Sequence, residues 1–417
     1  MQLFSKEERK ILFFTNAGHF FAHSLILIFP AITTPLAAEF ELPFEEVLKI
    51  SFLMYLFYGI GALPSGLITD RIHPRFSLAV YFIGIGSFSI LTSFIRTKVQ
   101  LEITLMMMGI FLSLYHPAGI GLLSRFKKNR GMALGINGTF GSIGIAAAPF
   151  VAGSINYFLG WRAIYAIMGI FPTLLGIFLC ISGLSDYTPK AESDAHTGDP
   201  SNTVVFVILC VSMSLAGFVY RGQTLILPSY FEQRIDFLYN FVRSLEFLQL
   251  EGTKTLSATI LASLVYVVSI FGQILGGKIA DKYDLRRAYL LFFLCALPFL
   301  VMMYFFRDVL LFAASIFFIL CSMGMQPVEN SLIAHLTPAK WRNTSYGFKF
   351  ILTFGVSSVV IYPIGFFQTK YGLQSVFLFF SLVIVVLVLN NTLLILVTSD
   401  RKKLLHPQEK TSSRLSR

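Results

Sequence analysis

Apolar runs of about 20 residues, each long enough to cross a hydrocarbon core of about 30 Å as a helix, follow one another along the chain. Short polar turns separate them. Twelve are readable, at roughly 10–38, 45–69, 76–96, 99–124, 131–158, 161–184, 201–230, 257–281, 287–306, 309–336, 343–369 and 373–398. A soluble protein buries one or two such runs as core helices. Twelve predict an all-α membrane protein of twelve transmembrane helices. The rhythm breaks after the sixth run, where residues 185–200 lack any apolar period and read as a polar linker. This divides the chain into an N-terminal bundle (1–184), the linker (185–200), a C-terminal bundle (201–398) and a basic tail (399–417).

The two bundles echo one another. Gly66, Asp70, Arg71 and Arg75 lie in the turn between runs 2 and 3, and Gly277, Asp281, Lys282 and Arg286 lie in the turn between runs 8 and 9. In both, aspartate follows glycine by four positions, a cation comes next, and another cation follows four further on. The copies are 211 residues apart. Arg130 to Gly135 matches Arg342 to Gly347 at an offset of 212, and Gly160-Trp161 matches Gly372-Leu373 at the same offset. His116-Pro117 matches Gln326-Pro327 at 210, yet His23 through Pro30 matches Arg221 through Pro228 at only 198. About 13 residues are therefore inserted somewhere in 231–256. Their alternation of apolar and charged residues predicts a short amphipathic helix on the outer membrane face.

The doubled loop motif resembles the loops between helices 2 and 3, and helices 8 and 9, of the major facilitator superfamily of transporters. That resemblance implies two pseudo-symmetric six-helix bundles related by an axis along the membrane normal, with a central cavity between them. It also implies that spans 1, 4, 7, 10 and 2, 5, 8, 11 line the cavity while 3, 6, 9 and 12 face lipid. A narrower likeness, to the fosmidomycin-resistance type of exporter, rests on His19 or His23 before Ser24 to Pro30, on Glu39-Phe40, and on Tyr115-His116-Pro117. It implies a small anionic solute moved against protons. Gly144 and Pro149 in a small-faced fifth span approximate an exporter pattern.

Composition changes the picture little: 55 % of residues are hydrophobic and 13 % charged, which excludes an ordinary soluble domain. The net charge of +11 raises the question of a nucleic-acid partner. Its distribution answers it, since 22 of the 33 Lys and Arg fall on the side that carries both termini. This is the positive-inside pattern, with both termini cytoplasmic and a bacterial inner membrane as the expected site. Cys180, Cys210, Cys295 and Cys321 all fall within apolar runs and offer no metal spacing. No cleavable leader is evident, so the first span is expected to be retained.

Polar side chains within spans are costly and mark the interior of a bundle. Span 1 carries Asn16, His19 and His23, span 4 His116, span 5 Asn137, span 7 Arg221 and Gln223. Span 8 carries Gln273, span 10 Gln326, Glu329 and Asn330, and span 11 Lys349. Spans 3, 6 and 9 carry nothing comparable in their middles. This census picks out the same partition as the resemblance. His19 and His23 share a helix face, and His19 and His116 lie at similar depth. Arg221 cannot shed its proton and needs either Glu329 or an anionic substrate; Lys349 poses the same question.

These residues predict a secondary transporter for a small organic anion or amphiphile, working by alternating access, with proton-coupled efflux ahead of proton-coupled uptake. His19, His23, His116, Asn137, Arg221, Gln223, Gln273, Gln326, Asn330 and Lys349 are the expected solute contacts. Glu329, His23 and His116 are the expected proton carriers. In the loops, Gly66, Asp70, Arg71, Arg75, Arg130, Gly277, Asp281, Lys282, Arg286 and Arg342 are expected to gate, with Asp70 meeting Arg130 and Asp281 meeting Arg342. The expected partners are solute, protons and lipid. No enzyme activity, cofactor, metal site, nucleic acid or second subunit is expected.

Overall fold

A computed structural model describes residues 3–72, 74–124, 126, 129–182, 203–244, 253–336 and 347–399. The linker at 185–200, the tail beyond 399, Arg342 and the side chains of Asp70, Arg71 and Arg130 lie outside the described residues. Among the described residues, eleven helices are long and apolar enough to cross a membrane. They are span 1 (Lys6–Ala31), span 3 (Arg75–Thr92), span 4 (Lys98–Leu123), span 5 (Gly131–Leu159), span 6 (Trp161–Ile181) and span 7 (Val204–Arg234). Then follow span 8 (Lys254–Lys282), span 9 (Leu285–Phe305), span 10 (Asp308–Ile333), span 11 (Gly347–Tyr371) and span 12 (Ser375–Val397). Span 2 is a pair, Phe44–Ile60 and Ala62–Thr69, bent by 40°. An even count puts the two ends of the chain on one face, called here the terminal face, and the opposite side the far face.

Local chemistry sets the helix ends. Ser5 opens span 1 with a reciprocal capping box to Glu8, and Thr97 opens span 4 with the same device to Gln100. Span 5 stops at Gly160 (φ 80°) and span 11 at Gly372 (φ 83°), a conformation that costs glycine little. These two glycines are the 212-residue repeat expressed in backbone geometry. The apolar run read as 10–38 ends earlier than expected: a separate short helix, Thr33–Phe40, follows Ile32. Glu39 on it accepts hydrogen bonds from Arg162 at 2.6 and 2.8 Å and from the Trp161 indole at 2.6 Å. The Arg162 bonds hold the Glu39 carboxyl below its usual range. In the inserted segment a helix covers Phe237–Ser244, with Phe237 packed on the core and Phe241 exposed.

The last cation of each doubled motif binds inside its own bundle. Arg75, at the start of span 3, donates to the Cys180 and Leu179 carbonyls at 2.7 and 3.3 Å, at the end of span 6. Arg286, at the start of span 9, donates to the Thr398 carbonyl at 2.5 Å and to its hydroxyl at 2.8 Å, just past span 12. Both therefore satisfy carbonyls left open at a helix C-terminus, where a cation also suits the dipole. Asp284 caps span 9 and pairs with Arg286 at 2.9 Å. Asp281 and Lys282 are exposed.

The bundles meet at several depths, beginning near the far face. Thr33 bonds Ser229 at 2.7 Å, Thr34 donates to Glu232 at 2.7 Å, and Thr369 donates to Glu45 at 2.8 Å. Spans 5 and 8 touch through Ser263, whose hydroxyl donates to the Ala146 carbonyl. Spans 2 and 11 cross so closely that a Cβ on Gly59 falls on the Gly355 backbone. Toward the terminal face a Cβ on Gly131, Gly135 or Gly138 of span 5, or on Gly277 of span 8, meets nothing within 4 Å, while one on Gly347 of span 11 lies 3.5 Å from Leu63 of span 2.

Gly59→Val is expected to push spans 2 and 11 apart and lower the melting temperature of the solubilised protein, at a cost of about 1–3 kcal/mol for overpacking. Gly131→Ala meets open space and is expected to leave melting unchanged or slightly raised. Equal melting curves for Gly59→Val and the wild type would remove the crossing.

Candidate functional site

Two polar groups are built among the spans: the first joins spans 1, 4 and 5 and is met by the bundle opposite, and the second lies within the C-terminal bundle. The first is built on span 1. His19 and His23 sit one turn apart on the face turned to spans 4 and 5, with Nε2 to Nε2 at 3.1 Å. Room for the His19 ring comes from span 5, where a Cβ on Gly141 would lie 2.6 Å from His19 Nε2. The small face of span 5, expected from Gly141, Ser142 and Gly144, is thus the surface on which span 1 packs. His19 Nδ1 lies 2.8 Å from the Asn137 carbonyl. Asn137 also bonds Asn16 at 3.2 Å and Tyr115 at 3.0 Å.

His116 opens a π-helical turn, His116–Ile120, next to Pro117. Such turns widen a helix and re-aim its side chains, and they recur at functional sites. The turn brings His116 within 5.4 Å of His19 and 5.7 Å of His23, ring centre to ring centre. Tyr58 of span 2 holds His116 Nε2 at 2.9 Å. Phe350 of span 11 stacks on the His116 ring at 4.7 Å, just before a second π-helical turn at Ile351–Gly355. The imidazoles are therefore covered by the opposite bundle. His19 and His23 keep partial exposure, while His116 is buried.

Arg221 approaches this group from span 7. It is 2 % exposed, and its guanidinium lies 4.1 Å from the centre of the Tyr55 ring and 5.6 Å from that of Phe354. Such cation–π contacts stabilise a desolvated cation by about 2 kcal/mol or more, well short of replacing its hydration. No carboxylate among the described residues pairs with it, and its Nε is buried without a hydrogen-bond partner. The helix continues through Pro228 to Arg234.

Glu329, expected as one of two alternatives for Arg221, is taken elsewhere. Its carboxylate meets Lys349 of span 11 at 2.7 Å and Tyr289 of span 9 at 2.5 Å. Lys349 also donates to Asn330 at 2.6 Å. This second group is nearly dry, with Glu329 2 % and Lys349 8 % exposed. Charge and counter-charge cancel within it. Tyr289, near the start of span 9, adds a hydroxyl to this group. Gln273 and Gln326 bond each other at 3.0 Å. Gln223 is buried with both amide atoms unpaired.

Sequence reasoning missed Tyr55, Tyr58 and Tyr289, because a tyrosine inside an apolar run reads as packing. Tyr115 was visible only as part of a motif. One signal was available: Tyr55 and Tyr58 are three apart and so share a helical face.

The sequence model of the Major Facilitator Superfamily matches residues 12–360 and again 244–417. The chain belongs to this family, whose members are transporters. A probable L-galactonate transporter of Escherichia coli (strain K12) is 28 % identical over 145 residues, 34 % of this chain and 31 % of that protein. A probable hexose phosphate transport protein of Chlamydia trachomatis is 25 % identical over 249 residues, 55 % of this chain and 54 % of that one. The matches thus span from about a third to about half of these relatives. A probable hexose phosphate transport protein of Chlamydia pneumoniae matches further, 24 % identical over 78 % of this chain and 77 % of its own. Among solved structures, a bacterial homologue of the human lysosomal transporter Spinster, described as inward-facing and occupied, superimposes with a TM-score of 0.72. It is 12 % identical and covers 94 % of this chain and 97 % of its own, a likeness of fold.

Glu329→Gln leaves Lys349 buried without its carboxylate and is expected to destabilise the protein by about 3–5 kcal/mol. Replacing both by methionine is expected to recover most of that loss, a coupling that a double-mutant cycle on thermal unfolding reads directly. Additive losses in the cycle would show that the two do not act as a pair.

Proposed function

We propose that the protein is a secondary transporter that carries a small organic anion by alternating access, with Arg221 as the cation that receives it. The observation that carries this reading is a guanidinium held at the seam, desolvated and without a counter-charge among the described residues. A buried cation left so costs several kcal/mol, and an entering carboxylate or phosphate offsets that cost through charge-assisted, bidentate hydrogen bonds. Lys349 is already neutralised by Glu329 and so is a weaker candidate for the same role. His19, His23, Asn137 and the glutamines 223, 273 and 326 would supply the remaining polar contacts. Several relatives are named for anions: L-galactonate, hexose phosphate and 4-hydroxybenzoate.

The excess of Lys and Arg at the terminal face orients that face to the cytoplasm. In one state of the proposed cycle that face is open to the cytoplasm. The opposite state would close the terminal face, with Asp70 and Arg130, and Asp281 and Arg342, as its latches. Uptake is preferred to efflux, since the solutes in the relatives' names are carbon compounds of metabolism. Efflux rests on the small-faced fifth span, which packing against span 1 already explains. Protons are the proposed coupling ion, with Glu329, His23 and His116 as carriers, and a monomer is the proposed working unit.

Purified protein in liposomes, supplied with galactonate, hexose 6-phosphate or 4-hydroxybenzoate, should accumulate at least one of them under an imposed proton gradient. Arg221→Ala should abolish that accumulation and Arg221→Lys should retain part of it, with both variants inserted normally. Undiminished accumulation by Arg221→Ala would take the anion elsewhere.

A further inference from the structure

The three histidines converge in a way that anion binding does not require. One ring nitrogen from each of His19, His23 and His116 lies within 4.8 Å of the other two. A tetrahedral ion with metal–nitrogen bonds of about 2.0–2.1 Å needs ligand nitrogens about 3.3 Å apart. His19 and His23 already present Nε2 to Nε2 at 3.1 Å. The third ring need close only by a rotamer-scale movement. Two ligands one helical turn apart and a third from a neighbouring helix is a common way to build a metal face.

The hydrogen bonds around the cluster prepare it for a cation that takes lone pairs. His19 Nδ1 points at the Asn137 carbonyl at 2.8 Å. A carbonyl only accepts, so Nδ1 carries the proton and Nε2 is left bare. Metal-bound histidines are typically oriented by this kind of outer bond. Tyr58 occupies His116 Nε2 at 2.9 Å, and Nδ1 of the same ring is buried without a partner. His116 is 7 % exposed, so that orphaned nitrogen is costly unless something binds it. His23 Nε2 must donate to the bare His19 Nε2 while the cluster holds no ion. Moving that proton to Nδ1 frees the third lone pair.

We infer that His19, His23 and His116 form a binding site for a divalent transition metal ion of the Zn2+ type, three imidazole nitrogens with a fourth position left to an exogenous ligand. Neutral imidazoles suit such borderline ions better than Mg2+ or Ca2+, which prefer oxygen. Arg221 and Lys349 face the cluster and disfavour a bare dication. The fourth ligand is therefore an anion, set between the metal and Arg221. The site goes beyond the proposed anion transport and does not depend on it.

The test uses the full chain, stripped with a chelator and titrated with Zn2+, and with Co2+ as a spectroscopic stand-in. One equivalent should bind, raise the melting temperature with the logarithm of free ion above its Kd, and give Co2+ the intense visible bands of a tetrahedral nitrogen site. His19→Gln and His116→Gln should each lose the bound equivalent and the bands. Tyr58→Phe, at a positioning residue, should weaken binding by roughly 10–100-fold and shift the Co2+ spectrum. Zn2+ binding is read without any organic anion and anion accumulation is read after chelation, which separates failure of this site from failure of the anion reading. Zn2+ entering protein-containing liposomes would mark the ion as carried, and Zn2+ retained on the protein would mark it as resident; both uphold the site. Absence of stoichiometric binding in the wild type would overturn it. So would binding unchanged in both histidine variants, and should those fold poorly, His23→Gln gives the same reading.

Discussion

An ionised side chain inside a membrane-spanning bundle must find a counter-charge, water or a ligand, and two cations of the C-terminal half meet that demand differently. In the C-terminal bundle Lys349 and Glu329 neutralise each other, with Tyr289 and Asn330 filling the remaining hydrogen-bonding positions. At the seam Arg221 has aromatic rings instead. Pairing a buried cation with a carboxylate makes a structural element. Giving it only π-faces leaves a site whose electrostatic demand a passing anion can meet. The contrast between these two cations, more than the presence of either, gives the seam its chemistry.

Packing serves this arrangement. Gly59 and Gly355 let spans 2 and 11 cross in backbone contact, which brings Phe350 and Phe354 over His116 and Tyr58. Gly141 does the same for the His19 ring on span 5. Helices in lipid gain little from hydrophobicity alone, so small residues that allow close approach largely decide where they meet. The π-helical turns at His116–Ile120 and Ile351–Gly355 lie on facing spans at the same contact. Because π turns are rare and favour functional sites, their pairing places adaptable backbone where the two bundles touch the imidazole cluster.

The doubled loop motif has a structural use as well as any gating one. Arg75 and Arg286 tie the first residues of spans 3 and 9 to the final carbonyls of spans 6 and 12. Each bundle is thereby closed on itself at the terminal face, independently of its partner. Two units braced in this way can tilt about a shared contact as rigid bodies, the geometry that alternating access needs.

Hydrophobic run lengths were enough to give the number of spans, and the 211-residue echo was enough to give two bundles of one orientation. A lipid core permits few other answers, because each span must satisfy its own backbone. The polar census also picked out His116, Asn137, Arg221, Gln223, Glu329 and Lys349, all of them buried in the structure, since charge in lipid is too costly to occur by accident. Partner choice was another matter. Arg221 and Glu329 looked equally available to each other along the chain, and only helix depth and rotation gave Glu329 to Lys349. Tyr55, Tyr58 and Tyr289 were indistinguishable from packing residues until a neighbour faced their hydroxyls or rings. The meeting of His19 and His23 with His116, 93 residues beyond His23, depends on how spans 1 and 4 turn about their axes. That rotation is decided by close packing against other helices, which no single segment encodes.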